Sequence, residues 1–95
     1  MPYVRVTTLS LDPAKSRQIM RFTEEQIIPR TKRLPGFRRY TAAGDLVAGR
    51  AISITEWDTL EQAQGQLLAL NWGPETADLG IEINSISVYE LLAQA

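Results

Sequence analysis

The nine residues PRTKRLPGF at positions 29–37 combine the signals that end a helix with those that begin a strand. Pro29 has no backbone N–H to donate, so a helix that reaches it is expected to kink or restart there. The cations at positions 30, 32 and 33 suit the negative end of a helix dipole, and Pro35-Gly36 suits the turn that follows. The segment therefore predicts a helix-to-strand joint, with Gly36 at a positive φ angle and Phe37 starting a strand.

Apolar periodicity and turn signals divide the chain on both sides of this joint into six elements. Asp12-Pro13 suits the start of the first helix, and Asp58 with Glu61 is expected to form a capping box for the second. Gly44-Asp45 is a turn signal between two strands. The expected elements are strand Tyr3–Leu9, a helix from Pro13 to about Ile28, strands Phe37–Ala43 and Val47–Trp57, a helix over Leu60–Leu70 and strand Ile81–Leu92.

The order strand, helix, strand, strand, helix, strand is the ferredoxin-like βαββαβ pattern of the α+β class. Right-handed connections then place both helices on one face of a four-stranded antiparallel sheet. We expect a single domain over residues 1–95, because the chain is too short for two.

Apolar residues occupy both phases of the last strand: Ile81 and Ile83 fall in one, Ile86 and Val88 in the other. The third strand likewise has apolar or aromatic groups on both faces. A sheet that is apolar on both sides needs a second cover besides the helices. A two-fold homodimer with its sheets face to face would supply that cover, as in a dimeric α+β barrel.

Composition excludes several classes of site. The chain has no cysteine and no histidine, which removes thiol nucleophiles, disulfides and the commonest metal ligand and general base. We therefore expect no metal and no cofactor. No apolar run approaches the ~20 residues of a membrane span, so the expected compartment is the cytoplasm. An RNA-binding role is not expected either, because residues 47–54 contain no aromatic side chain on which a base could stack.

Charge is divided unevenly along the chain. Residues 1–50 contain ten basic and four acidic residues, a net charge of +6, whereas residues 51–95 contain seven acidic residues and no basic one. The division could serve complementary self-association or the steering of an anionic ligand. We favour the simpler interpretation of two solvated faces that differ in sign, because exposed charges contribute little individually.

Two motifs make the chain resemble the antibiotic biosynthesis monooxygenase-like family of the dimeric α+β barrel superfamily. The segment at 29–37 resembles that family's helix-to-strand joint, and EWDTLEQA at 56–63 resembles its tryptophan before a capped helix. Residues 83–90 resemble its last strand. The haem-degrading branch is contradicted, since this chain has no histidine, no asparagine in strand one, and Gln66 near the place of that branch's helix-two tryptophan.

The resemblance implies a pocket between sheet and helices, whose catalytic residues it does not identify. The candidate lining residues are Tyr40, Trp57, Asn71, Trp72 and Tyr89, with Arg39 and Arg50 to orient an anionic or phenolate substrate. Each aromatic could instead simply pack in the core or an interface, and the arginines could form salt bridges to Glu56 or Glu82.

The resemblance also implies a function class. It favours a small dimeric, cofactor-independent monooxygenase acting on an aromatic or quinone-like molecule. The alternative is a ligand-binding or interaction module of the same fold, which needs only a pocket and no catalysis. Whether the chain is an enzyme is left open by the sequence.

Overall fold

The computed structural model describes residues 1–70 and 77–95, and for residues 66–70 the backbone only. Its strands are β1 (Tyr3–Ser10), β2 (Phe37–Asp45), β3 (Arg50–Trp57) and β4 (Glu82–Glu90). Its α-helices are α1 (Ser16–Phe22), α2 (Ile28–Lys32) and α3 (Leu60–Leu70).

The four strands form one antiparallel sheet in the order β2-β3-β1-β4. The central pair is β1 with β3, which places Arg5 opposite Thr55 and Thr7 opposite Ser53. Helix α3 packs on the central strands and β4, whereas α2 packs on β2 and α3. The expected α+β, ferredoxin-like βαββαβ fold is therefore confirmed.

The first helical segment changes its geometry before Pro29 and restarts there as α2, as expected. It begins with a 3₁₀ turn at Pro13–Lys15, capped by the Asp12 side chain, which accepts from the amide of Ala14 at 3.0 Å. Between α1 and α2 lies a π-helical turn, Thr23–Ile27, in which the amide of Ile28 donates to the carbonyl of Thr23. A proline cannot donate to the residue four before it, and the wider turn directly before Pro29 accommodates that missing bond without ending the helical segment.

The helix-to-strand joint has the expected form. Gly36 has a φ of +78°, and its carbonyl accepts from the amide of Asp58 at 2.9 Å. The amide of Phe37 donates to the carbonyl of Leu34, which closes the turn at 3.3 Å. The joint thus ties the end of α2 to the segment that precedes α3.

Two local expectations are corrected. Gly44 and Asp45 belong to β2, and the turn lies at residues 46–49, where the Asp45 carboxylate accepts from the amide of Ala48 at 3.0 Å. The capping box is formed one residue later than expected, by Thr59 and Gln62, each side chain accepting from the other's amide at 3.2 Å. Asp58 instead pairs with Arg38 at 3.2 Å.

The two faces of the sheet differ in polarity in an unusual sense. We call the face toward the helices the inner face and the opposite one the outer face. Strand register places mostly polar side chains on the inner face at its centre, namely Arg5, Thr7, Tyr40, Ser53 and Thr55. The same register places aliphatic side chains on the outer face, namely Val4, Val6, Ile52 and Ile54.

Candidate functional site

A cavity of about 330 Å³ lies between the inner face of the sheet and the first helical segment. This volume is at the lower end of the range for small-molecule sites. Most of its wall is apolar, formed by Leu9, Leu11, Ile19, Met20, Ile27, Leu46, Ile81 and Ile83. The π-helical turn contributes to this wall through Thr23 and Ile27.

Arg5 is the one charged residue among the described residues that line the cavity. It is buried, and its Nη1 donates to the main-chain carbonyls of Ala63 and Gln64 in α3, the second at 3.0 Å. Burial lowers the pKa of its guanidinium, because the charged form loses hydration. Its other donors, Nε and Nη2, form no hydrogen bond within the part of the chain that the structure describes.

Tyr40 supplies a phenol to the same wall. Burial raises the pKa of Tyr40, and a hydrogen bond with the Ser53 side chain partly opposes that shift. The phenol therefore remains protonated near neutral pH and can donate to a ligand oxygen. The hydroxyl of Thr7, a buried residue directly across from Ser53, extends this polar region.

Trp57, expected in the pocket, is packed elsewhere. It is 1% exposed and lies edge-to-face against Phe37, with ring centroids 5.8 Å apart. Its Nε1 donates to the hydroxyl of Thr55 at 2.8 Å. It is not among the residues that line the cavity.

The other expected site residues lie away from the cavity or outside the described residues. Register places Arg39, Arg50 and Tyr89 on the outer face, and Tyr89 is 58% exposed. Neither arginine forms an ion pair within residues 1–70 and 77–95. Glu56, also on the outer face, accepts from the side chain of Gln94 at 3.1 Å. Asn71 and Trp72 lie outside the described residues. Among the described residues that were expected in the pocket, Tyr40 alone lines the cavity.

Sequence reasoning did not identify Arg5, Thr7 and Ser53 as site residues. The available signal was the run of polar residues in one phase of β1 and β3, since Thr55 and Ser53 alternate with isoleucines just as Arg5 and Thr7 alternate with valines. Aliphatic side chains usually face the helices, so that signal would have been taken for a solvated face.

The described residues include no cluster of three or more His, Cys, Asp or Glu side chains that could hold a metal ion. Nor does any carboxylate occur among the cavity-lining residues of the described chain. The described lining residues offer an apolar wall, one guanidinium, one phenol and the hydroxyl groups of serine and threonine. Among the described helices, none is long and apolar enough to cross a membrane.

Comparison with solved structures shows the same architecture in other proteins. A provisional antibiotic biosynthesis monooxygenase from Deinococcus radiodurans is 18% identical, with a TM-score of 0.76 over 98% of this chain and 95% of that one. A second from Bordetella bronchiseptica is 12% identical, with a TM-score of 0.76 over 97% and 98%. HapK from Hahella chejuensis is 11% identical, with a TM-score of 0.76 over 100% and 96%.

The chain has the fold of these proteins. The resemblance to the antibiotic biosynthesis monooxygenase-like family is thereby confirmed at the level of the fold. No family model matches the sequence, and no curated protein matches it either. Because a fold hosts many unrelated activities, function has to be argued from the cavity.

Proposed function

We propose that this chain forms a homodimer that binds an aromatic or quinone-like small molecule and oxidises it as a cofactor-independent monooxygenase. The observation that carries the proposal is the 330 Å³ cavity, with its apolar wall and few polar groups, between sheet and helices. Small-molecule sites characteristically combine such a wall with a few polar groups that orient the ligand. The solved structures that share the fold include proteins provisionally described as antibiotic biosynthesis monooxygenases.

The polar groups of the cavity suit a reaction driven by the substrate's own acidity. A methylene carbon beside an aromatic carbonyl can lose a proton to water, provided that the resulting enolate oxygen is stabilised. Tyr40 can donate a hydrogen bond to that oxygen, and Arg5 can supply positive charge in an apolar surrounding that strengthens both effects. Reaction with O₂ then removes both hydrogens from the carbon: one oxygen atom becomes a new carbonyl and the other leaves as water.

The proposed dimer follows from the aliphatic outer face. Val6 and Ile54 are directly opposite each other at the middle of that face and are only half-buried in one chain. None of the described helices covers this side, since they pack on the inner face. Two outer faces packed together would remove these side chains from water, with a gain of roughly 25 cal/mol per Å² of apolar surface buried. A small domain gains proportionately more from such burial than a large one.

A ligand-binding module without catalysis is the second candidate. It is favoured by one observation, that the described lining residues include no carboxylate that could accept a proton from the substrate. In this case the cavity binds its ligand, and the protein catalyses no reaction of it.

Calorimetry with a panel of phenols, anthrones and quinones, followed by oxygen uptake with each compound that binds, tests these functions. Binding with oxygen uptake supports the monooxygenase, and binding without uptake supports the module. The variant Ala51→Leu narrows the cavity and should weaken binding, whereas Ala48→Leu, in the exposed turn, should not. Absence of binding by every compound to the folded protein would contradict both functions.

A further inference from the structure

The cavity changes in polarity along the direction of its strands. Successive inward-facing layers are set by register: Arg5 lies opposite Thr55, Thr7 opposite Ser53, and Leu9 opposite Ala51. On the adjoining strand β2 the same layers continue as Tyr40, Ala42 and Gly44. At about 3.3 Å per residue, the polar first layer and the apolar third layer are about 13 Å apart. A ligand of that length therefore meets a polar wall at one end and an apolar wall at the other.

The two ends also differ in their cover. The polar end lies beneath α3, to which Arg5 is hydrogen-bonded through the carbonyls of Ala63 and Gln64. At the apolar end, register places Ile83 beside Leu9 and Gly44 beside Ala51, and both Ile83 (41%) and Gly44 are exposed, whereas Arg5 at the polar end is 5% exposed. The apolar end is thus the more open one, and the polar end is the closed one.

The closed end carries a single kind of charge. Arg5 is the only cationic side chain among the described lining residues, and no anionic side chain accompanies it there. Two of its three nitrogens keep donors that form no hydrogen bond within the described chain. A guanidinium with such donors, in the same inward-facing layer as the phenol of Tyr40, suits a planar oxyanion such as a carboxylate.

We propose that the ligand is an amphipathic monoanion, bound with its planar oxyanion at Arg5 and Tyr40 and its apolar body over Leu9 and Ala51. This inference rests on the proposed ligand-binding function and narrows it to one ligand class. Such a ligand enters with its charged end first, through the apolar opening. Electrostatic pairing at the closed end offsets the cost of removing the anion from water.

Three probes with the same aromatic body separate charge from shape: 2-naphthoate, the neutral 2-naphthamide and the cationic 2-naphthylmethylamine. Titration calorimetry on the wild-type protein should give naphthoate the highest affinity, at least about tenfold above the amide, as hydrogen bonds to charged groups are stronger than neutral ones. The amine should bind more weakly than the amide. An amide that binds as well as the carboxylate overturns the inference and leaves the proposed function standing. Failure of all three probes and of the phenol and quinone panel overturns both.

Substitutions of Arg5 test whether this residue binds the oxyanion of the ligand. Arg5→Met removes the charge and should lower the ratio of naphthoate to naphthamide affinity to about one, whereas Arg5→Lys should keep part of it. Arg33→Met removes an exposed charge at the end of α2 and should leave the ratio unchanged. A folded Arg5→Met protein that keeps the wild-type ratio overturns the role of Arg5. If Arg5→Met loses its fold together with the bonds to α3, the naphthoate-to-naphthamide affinity ratios of the wild-type protein and of Arg5→Lys still test whether Arg5 binds the oxyanion.

Discussion

Replacing Gly36 with alanine tests the joint that connects the first helical segment to the sheet. Gly36 has a φ of +78°, a conformation that costs an L-residue about 1–2 kcal/mol. An added Cβ would also lie 1.8 Å from Oε1 of Gln62. The Gln62 side chain can move away, but its Oε1 accepts from the amide of Thr59 at the start of α3. The substitution therefore combines backbone strain with the loss of a helix cap.

The expected magnitude is the sum of these two effects. The lost capping hydrogen bond contributes about 1 kcal/mol, and the strained backbone about the same. We expect Gly36→Ala to lower the free energy of unfolding by about 2 kcal/mol, measured from urea denaturation midpoints. For a domain of this size, that corresponds to a fall of roughly 10 °C in melting temperature.

Two controls separate strain from steric displacement. In a Gln62→Ala background the bond from the Thr59 amide to Gln62 is already absent, so Gly36→Ala should cost only the strain, about 1 kcal/mol. Gly65→Ala places a Cβ in α3 with no atom of the described residues within 4 Å, and should stabilise the protein by up to about 1 kcal/mol. An unchanged midpoint for Gly36→Ala would refute the tight joint, and an equal cost in both backgrounds would refute the displacement of Gln62.

Three further predictions concern the outer face, the cavity and the core. Ile54→Lys should shift the sedimentation mass from twice 10.6 kDa to the monomer, whereas Val47→Lys, in the exposed turn, should not; a wild-type monomer would contradict the dimer. Burial raises the pKa of Tyr40, so its contribution to stability is complete below about pH 10 and is lost as pH rises through the folded value. Chemical denaturation should therefore show wild type losing stability more steeply above pH 10 than Tyr40→Phe; parallel curves would contradict the shift. Trp57→Phe should lower the free energy of unfolding by about 2 kcal/mol through lost packing and the lost bond to Thr55, and an unchanged urea midpoint would contradict that packing.

The fold could be predicted from the sequence because its signals are local. The Pro35-Gly36 pair predicts a positive φ angle at Gly36, and the structure has it there. Element boundaries were less well predicted, since alternative residues could fill the same role. Either Asp58 or Thr59 can cap α3, and the choice follows from a tertiary contact, the pairing of Asp58 with Arg38.

The cavity could not be predicted in the same way, because it depends on which face of the sheet the helices cover. Aromatic residues were expected in the pocket, yet Trp57 fills the core against Phe37 and Tyr89 lies on the outer face. The cavity instead takes its polar groups from small or charged residues such as Arg5 and Ser53. Register assigns these residues to the inner face, and register is a property of strand pairing that a single strand does not reveal.

The polarity of the two faces connects the proposed dimer with the proposed site. In a two-layer α+β domain, the helix-facing side of the sheet normally supplies the apolar core. Here the centre of that side carries Arg5, Thr7 and Ser53, so part of the core volume is a cavity and its contribution to stability is reduced. In the proposed dimer, burial of aliphatic side chains such as Val6 and Ile54 on the outer face would compensate for this lost stability. Disrupting the proposed dimer with Ile54→Lys should therefore weaken ligand binding as well. The sheet that forms the cavity wall would then no longer be packed against a second sheet on its outer face.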